Sequence, residues 1–105
     1  MGVVYLLECI DDYSGVTHKI GYTKGDIKDR IRALQVGNGY EIKELCSFNT
    51  KYGQKLETTV HKHFKHCRLK GEWFKLEKAD IEGFSNTCLK IENNFNALQE
   101  NPFFK

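Results

Sequence analysis

Tyr5, Lys19, Arg30, Glu57 and His61 bring a phenol, an ammonium, a guanidinium, a carboxylate and an imidazole into one ordered series along this 105-residue chain. These groups move protons, contact phosphate and hold hard cations. Arg30 carries a rigid fork of donors that suits a phosphate. Glu57 offers the charged oxygen that a divalent ion such as magnesium requires, with waters and substrate oxygens completing its shell. His61, four residues on, is its neighbour on a helix, where it can orient that carboxylate or act on a proton. Taken singly, each has an ordinary explanation: a boundary arginine that snorkels, a surface glutamate, a helix-face histidine. Their order is what makes them a candidate set.

The elements that must position them can be read from periodicity. Val3 to Ile10 has the length and residue types of a buried strand, Asp11-Asp12-Tyr13-Ser14-Gly15 breaks it, and Val16 to Thr23 is a second strand, so the spacing predicts a hairpin. Alternation puts Tyr5, Leu7 and Cys9 on one face of the first strand and Lys19 and Gly21 on one face of the second. The phenol and the ammonium can therefore meet. Asp26 is placed to cap a helix whose stripe is Ile27, Ile31 and Leu34, with Asp29 in its first turn. Arg30 lies on the flank of that stripe and Arg32 on the solvent side. Val36-Gly37-Asn38-Gly39 ends the helix. A third strand is expected over Ile42 to Phe48, a break at Asn49 to Gly53, and a second helix reaching about Cys67. Its inward stripe is Leu56, Val60, His63 or Phe64, and Cys67, with Glu57, His61 and Arg68 along an adjoining face. Leu69-Lys70-Gly71 turns the chain into a short strand, Glu72 to Leu76, in which Phe74 is expected to fill the core.

With Val3-Val4-Tyr5 and Lys19-Ile20-Gly21 as two signature tripeptides, followed by the helix arginine, this order resembles the GIY-YIG endonuclease family. Glu57, His61 and Gly71-Glu72-Trp73-Phe74 resemble the later landmarks of a small phage and viral branch in which the second tripeptide begins with lysine. The similarity runs over about residues 3 to 76. It implies an endonuclease that hydrolyses phosphodiester bonds with a divalent metal, Mg²⁺ or else Mn²⁺, and nucleic acid as partner, DNA first. By this resemblance Tyr5 is the general base, Lys19 and Arg30 stabilise phosphate charge, and Glu57 holds the metal. His61 is an accessory group. Many relatives have a histidine where this chain has Leu34, and Tyr22 is the polar residue available to replace it. A phenol titrates near pH 10, so such a base needs a nearby cation to favour its anion.

The composition sets outer limits. A chain of this length makes one domain with one core, and 40% hydrophobic with 29% charged residues is ordinary for a globular protein. No apolar run approaches the roughly 20 residues that span a bilayer, and no signal-type segment opens the chain, so the expectation is an intracellular, cytoplasmic protein, in the host if virally encoded. Cys9, Cys46, Cys67 and Cys88 stand singly, as reduced thiols do. His61, His63, His66 and Cys67 hold zinc-ligand types, but helical spacing spreads them around the axis and no second cluster completes a set. Residues 1 to 78 carry a net +4 and residues 79 to 105 a net −2. The basic groups concentrate in Lys19 to Arg32 and Lys62 to Lys70, so Lys24, Lys28, Lys62 and Arg68 are the expected contacts to a phosphate backbone.

Ile81, Phe84, Cys88, Ile91, Phe95 and Leu98 recur at three and four residues, which predicts a long amphipathic helix that Asn93, Asn94 and Asn96 weaken. Asn101-Pro102-Phe103-Phe104 ends it. The expected architecture is α/β: a small, three-stranded, mainly antiparallel sheet flanked by helices over residues 1–78, plus this helix over 79–105. The seam is expected to cover the sheet or to form a homodimer or recruit a partner protein. Two other functions compatible with the sequence are a nucleic-acid-binding module without activity and a protein-interaction module built on the last helix.

Overall fold

A computed structural model describes residues 2–12, 15–36, 39 and 41–100. Tyr13 and Ser14 of the hairpin turn, Gly37 and Asn38 of the helix stop, and Asn101 to Phe104 of the ending lie outside the described residues. The chain runs β1 (Gly2–Asp11), β2 (Gly15–Thr23), α1 (Ile27–Gln35), β3 (Glu41–Thr50), α2 (Gln54–His63), a 3₁₀ turn (Lys65–Cys67), β4 (Arg68–Lys70), β5 (Trp73–Phe74), α3 (Lys78–Glu82) and α4 (Phe84–Glu100).

The sheet has five strands in the order β3-β1-β2-β5-β4, every neighbouring pair antiparallel. The three-stranded expectation is therefore corrected. The short strand expected over Glu72 to Leu76 is present as β5, reduced to two residues, whereas β4, at three residues, is too short to display a period of two and left no pattern in the sequence. They form because Gly71 takes φ +57°, which turns Arg68–Lys70 back onto Trp73–Phe74. Phe74 and Trp73 then pair with His18 and Lys19 of β2, and the Ile20 N–H donates to the Glu72 carbonyl at 3.0 Å.

β1 lies between β2 and β3 and is buried on both faces, which explains its nearly unbroken apolar run. One face carries Val4 and Leu6, which join Ile20, Leu56, Val60, Phe64, Phe74, Phe84, Cys88 and Phe95 in a continuous core under α2 and α4. The other carries Tyr5, Leu7 and Cys9, also buried, on the side where α1 lies. No α1 residue is fully buried, and Ile27, Ile31 and Leu34 are half covered. Its start is fixed by Asp26, whose side chain accepts from the Lys28 N–H at 2.7 Å.

The single last helix is two. A capping box between Glu77 and Asp80 starts α3, Gly83 ends it, and α4 begins at Phe84. Phe84, Cys88 and Phe95 enter the core, whereas Leu98 is 46% exposed beyond its edge. Polar ties add to the seam: Thr50 Oγ1 donates to Glu92 Oε2 at 2.7 Å, and the Tyr52 hydroxyl bonds to Asn96 Oδ1. All four cysteines are free. No helix among the described residues is long and apolar enough to cross a membrane.

One close approach governs the site face. Tyr5 pairs across the sheet with Gly21, and its ring lies where a side chain would be: a Cβ on Gly21 would fall 2.4 Å from the phenol oxygen and 2.5 Å from Cζ. Gly21→Ala is expected to displace the ring and lower stability by about 1–3 kcal/mol, the usual cost of overpacking. Urea denaturation checks it; an unchanged midpoint would mean that the ring moves aside freely.

Candidate active site

The site begins with the phenol of Tyr5. Buried and lying on Gly21, it presents its oxygen to α1, where the Arg30 Nε–H donates to it at 3.3 Å. Arg30 extends from an exposed helix position, as its place on the stripe's flank predicts, and Arg32 faces outward in a 3.0 Å pair with Asp29. Burial pushes the Tyr5 phenol above its ordinary value of 10.0, and the nearby Glu72 and Glu57 charges push the same way. Arg30, as hydrogen-bond donor and as charge, only partly offsets this. Of the two cations expected to favour the phenolate, Arg30 acts in that direction but is outweighed by burial, and Lys19 is not among the groups that act on the phenol. The reason is geometric: Lys19 is committed elsewhere, its Nζ 3.4 Å from Glu72 Oε1 and 5.1 Å from the Trp73 ring centre.

Glu57 reaches the same cluster from α2, whose Leu56 and Val60 pack in the core with Ile20 of β2. Its carboxyl is pushed up to about 6, first by burial and then by the Glu72 charge, against the opposing pull of Lys19 and Arg30. Tyr5, Lys19, Arg30, Glu57 and Glu72 therefore form one electrostatically coupled group. Glu72 received no role from the sequence, although it stood in the quoted Gly71-Glu72-Trp73-Phe74 run. Its signal was position: it follows the Gly71 turn and begins the segment that meets β2.

His61 is turned toward the sheet. Its Nε2 donates to the Ile20 carbonyl at 2.8 Å and its ring meets Phe74 edge-on at 5.0 Å, so it holds α2 against the β2 edge. Tyr22 is not brought to the cluster. By alternation it sits on the opposite face, half-buried against the main core, with its ring over Gly2 and Gly53. A proton carrier replacing a histidine at Leu34 is therefore not supplied by Tyr22.

Arg68 and Lys62 line an open groove of ≈ 340 Å³ with Thr58, His61 and Lys65. Lys24 and Lys28 are exposed at the β2–α1 connection and on α1, outside that lining. Buried thiols are no competing nucleophiles. Burial pushes Cys9 up to about 11 and Cys88 up to about 12. His18, which sequence reasoning passed over, is 3% exposed. Its Nδ1 accepts from the Leu76 N–H at 3.2 Å, which leaves Nε2 facing Glu8 at 3.8 Å. Burial lowers its pKa, and it is a core residue fixing the β5 end.

The sequence model of the T5orf172 domain matches residues 2–89, every element from β1 into α4. The chain belongs to the T5orf172 domain family. This corrects the GIY-YIG resemblance, since the matching family is T5orf172 and no GIY-YIG family model matches. Three-residue signatures carry little information when one is a buried strand and the other holds the glycine over which a tyrosine must lie. The T5orf172 match ends at residue 89, within the first turns of α4. A curated relative, the "Putative KilA-N domain-containing protein 315L" of Invertebrate iridescent virus 6, is 34% identical over 98 residues. That alignment covers 85% of this chain and 40% of the viral protein, so the chain spans well under half of its relative's length. No solved structure matches the chain.

Holding Glu57 ionised in this T5orf172 domain costs stability, because its carboxyl titrates at about 6 in the fold against 4.5 in the free side chain. At neutral pH the group is charged in both states, and because solvent screens a half-buried carboxylate, Glu57→Gln is expected to stabilise the metal-free protein by about 1 kcal/mol, below the roughly 2 kcal/mol of the full shift. Both states are protonated well below 4.5, so the gain should fade as pH falls from about 6 through 4.5. Urea denaturation of both proteins across this range measures it; a destabilised variant at neutral pH would refute the assignment of strain to this carboxylate.

Proposed function

We propose that this domain hydrolyses phosphodiester bonds in nucleic acid, with DNA as the first substrate class, using a divalent cation. The observation that carries the reading is the Arg30 Nε to Tyr5 hydroxyl contact beside the Glu57 carboxylate. T5orf172 and KilA-N domains count among nucleic-acid-binding or endonuclease-like modules, which supports the substrate class.

The residues fit a hard cation. Two carboxylates, Glu57 and Glu72, feel one another's charge, and Glu57 is raised to about 6 in consequence of burial and that repulsion, which a cation would relieve. Among the described residues no three His, Cys, Asp or Glu side chains converge on one point. The fit is therefore to an ion that accepts one or two protein oxygens and fills its shell with water and phosphate, as Mg²⁺ does. Glu57 would hold it, with Glu72 the nearest second carboxylate. When bound, the ion would neutralise charge developing on the leaving oxygen.

The protein's own groups divide the remaining work. With Nε engaged on Tyr5, the two terminal nitrogens of Arg30 are the donors that would meet a phosphate as a fork. Lys19, braced between Glu72 and Trp73, adds positive charge from the β2 side. The attacking water forms a bond to phosphorus, the bond to the leaving oxygen breaks, the water's proton passes to the Tyr5 phenolate, and the leaving oxygen takes a proton from solvent, to which Tyr5 then returns its own. Tyr5 can accept only as phenolate, and burial keeps that form scarce. Hydrolysis is therefore expected to speed up with rising pH through the neutral range.

A second reading, nucleic-acid binding without cleavage, is favoured by that raised phenol pKa and makes the test decisive. Supercoiled plasmid is incubated with Mg²⁺ or Mn²⁺, beside EDTA, Glu57→Gln and Arg30→Ala. Metal-dependent nicking that vanishes with EDTA and Glu57→Gln, and slows by about 10²-fold or more with Arg30→Ala, is the expected result. Retained salt-sensitive binding with no nicking under any metal would establish the second reading in its place.

A further inference from the structure

The groove on the outer side of α2 has a composition that the cluster at Tyr5 does not use. Thr58, His61 and Lys62 recur at three and four residues on α2, Lys65 opens the 3₁₀ turn that follows it, and Arg68 closes the groove where β4 begins. Three of the five lining residues are cationic and none is acidic. Lys62 and Lys65 are exposed. The Arg68 Nε–H donates to the Gly71 carbonyl at 2.7 Å, which fixes the guanidinium plane and leaves its outer nitrogens for an anion. The groove lies one helical turn from the cluster: His61, which lines it, is four residues after Glu57 and neighbours it on the surface of α2, roughly 6 Å along the helix axis. A strand whose phosphate meets Arg30 would continue along this ridge.

We infer that the Lys62–Lys65–Arg68 groove is a second phosphate site, holding the nucleic-acid backbone next to the phosphate at Arg30 and setting the direction in which the strand leaves the centre. The contact is with backbone phosphate and carries no base specificity. An acidic peptide would find the charges but not the adjoining cluster. The direction of the strand rests on the proposed hydrolysis; occupancy of the groove does not, since it is measurable without metal.

The test is the salt dependence of binding to a labelled DNA duplex, by fluorescence anisotropy in EDTA over a KCl series. Lys62→Gln/Lys65→Gln is compared with wild type, with Lys62→Arg/Lys65→Arg, and with Lys78→Gln/Lys90→Gln, which removes equal charge from α3 and α4. Each lost phosphate contact lowers the slope of log K against log salt by about 0.9, so the groove variant should lose about 2. The arginine variant and the α3/α4 variant should keep the wild-type slope. An unchanged slope in the groove variant, or an equal drop in the α3/α4 variant, would overturn the inference. So would a labelled polyglutamate whose binding depends on Lys62 and Lys65 when that of DNA does not. If wild type cuts no plasmid yet the groove variant loses its slope, hydrolysis falls and the groove stands; cleavage with an unaltered slope separates them the other way.

Discussion

The ring of Tyr5 occupies the space that Gly21 leaves open, and the arrangement of the site follows from that one contact. A side chain at position 21 would meet the phenol at less than 3 Å, so only glycine lets the two central strands pair there with the tyrosine laid flat. The flattened ring carries its oxygen to the sheet's α1 side, and Arg30 meets it. Because β1 is the strand between β2 and β3, this phenol is buried. The burial that gives it a fixed place also holds its proton. Position and reactivity are thus set against each other by the same cause.

The acidic side of the cluster shows a similar tension. Glu57 and Glu72 arrive from different elements, α2 and the segment after the Gly71 turn, and repel one another. Lys19 is drawn toward Glu72 and Trp73 instead of Tyr5. Groups that a fold alone would separate are gathered here, and a folded chain with no use for them would gain stability by changing one. That is the physical ground for reading the cluster as a working site.

His61 links the two halves of the surface. Its bond to the Ile20 carbonyl occupies the β2 edge just past the β5 pairing, where an unpaired acceptor would otherwise remain. It thereby sets the placement of α2, which carries both Glu57 and three residues of the basic groove's lining, Thr58, His61 and Lys62. The family assignment accords with this integration: the T5orf172 match runs from β1 into α4, so the covering helix belongs to the same unit as the hairpin.

What the sequence determined by itself was local. Strands β1 and β2, the Asp26 cap of α1, the inward stripe of α2, the burial of Phe74 and the apolar seam of α4 all follow from period, propensity and cap chemistry within a few residues. Alternation likewise put Tyr5 and Lys19 on one sheet face. The tertiary structure alone decided what depends on distant partners. β5, expected as a short strand, gained its place by pairing with β2, and the unexpected β4 exists only by pairing back onto β5. Tyr22 was excluded from the cluster by its packing over Gly2 and Gly53, and Glu72 entered it through a turn. The ionisation of Tyr5 and Glu57 was decided there too, since a pKa records burial and neighbouring charge, and neither is a property of a residue's place in the chain.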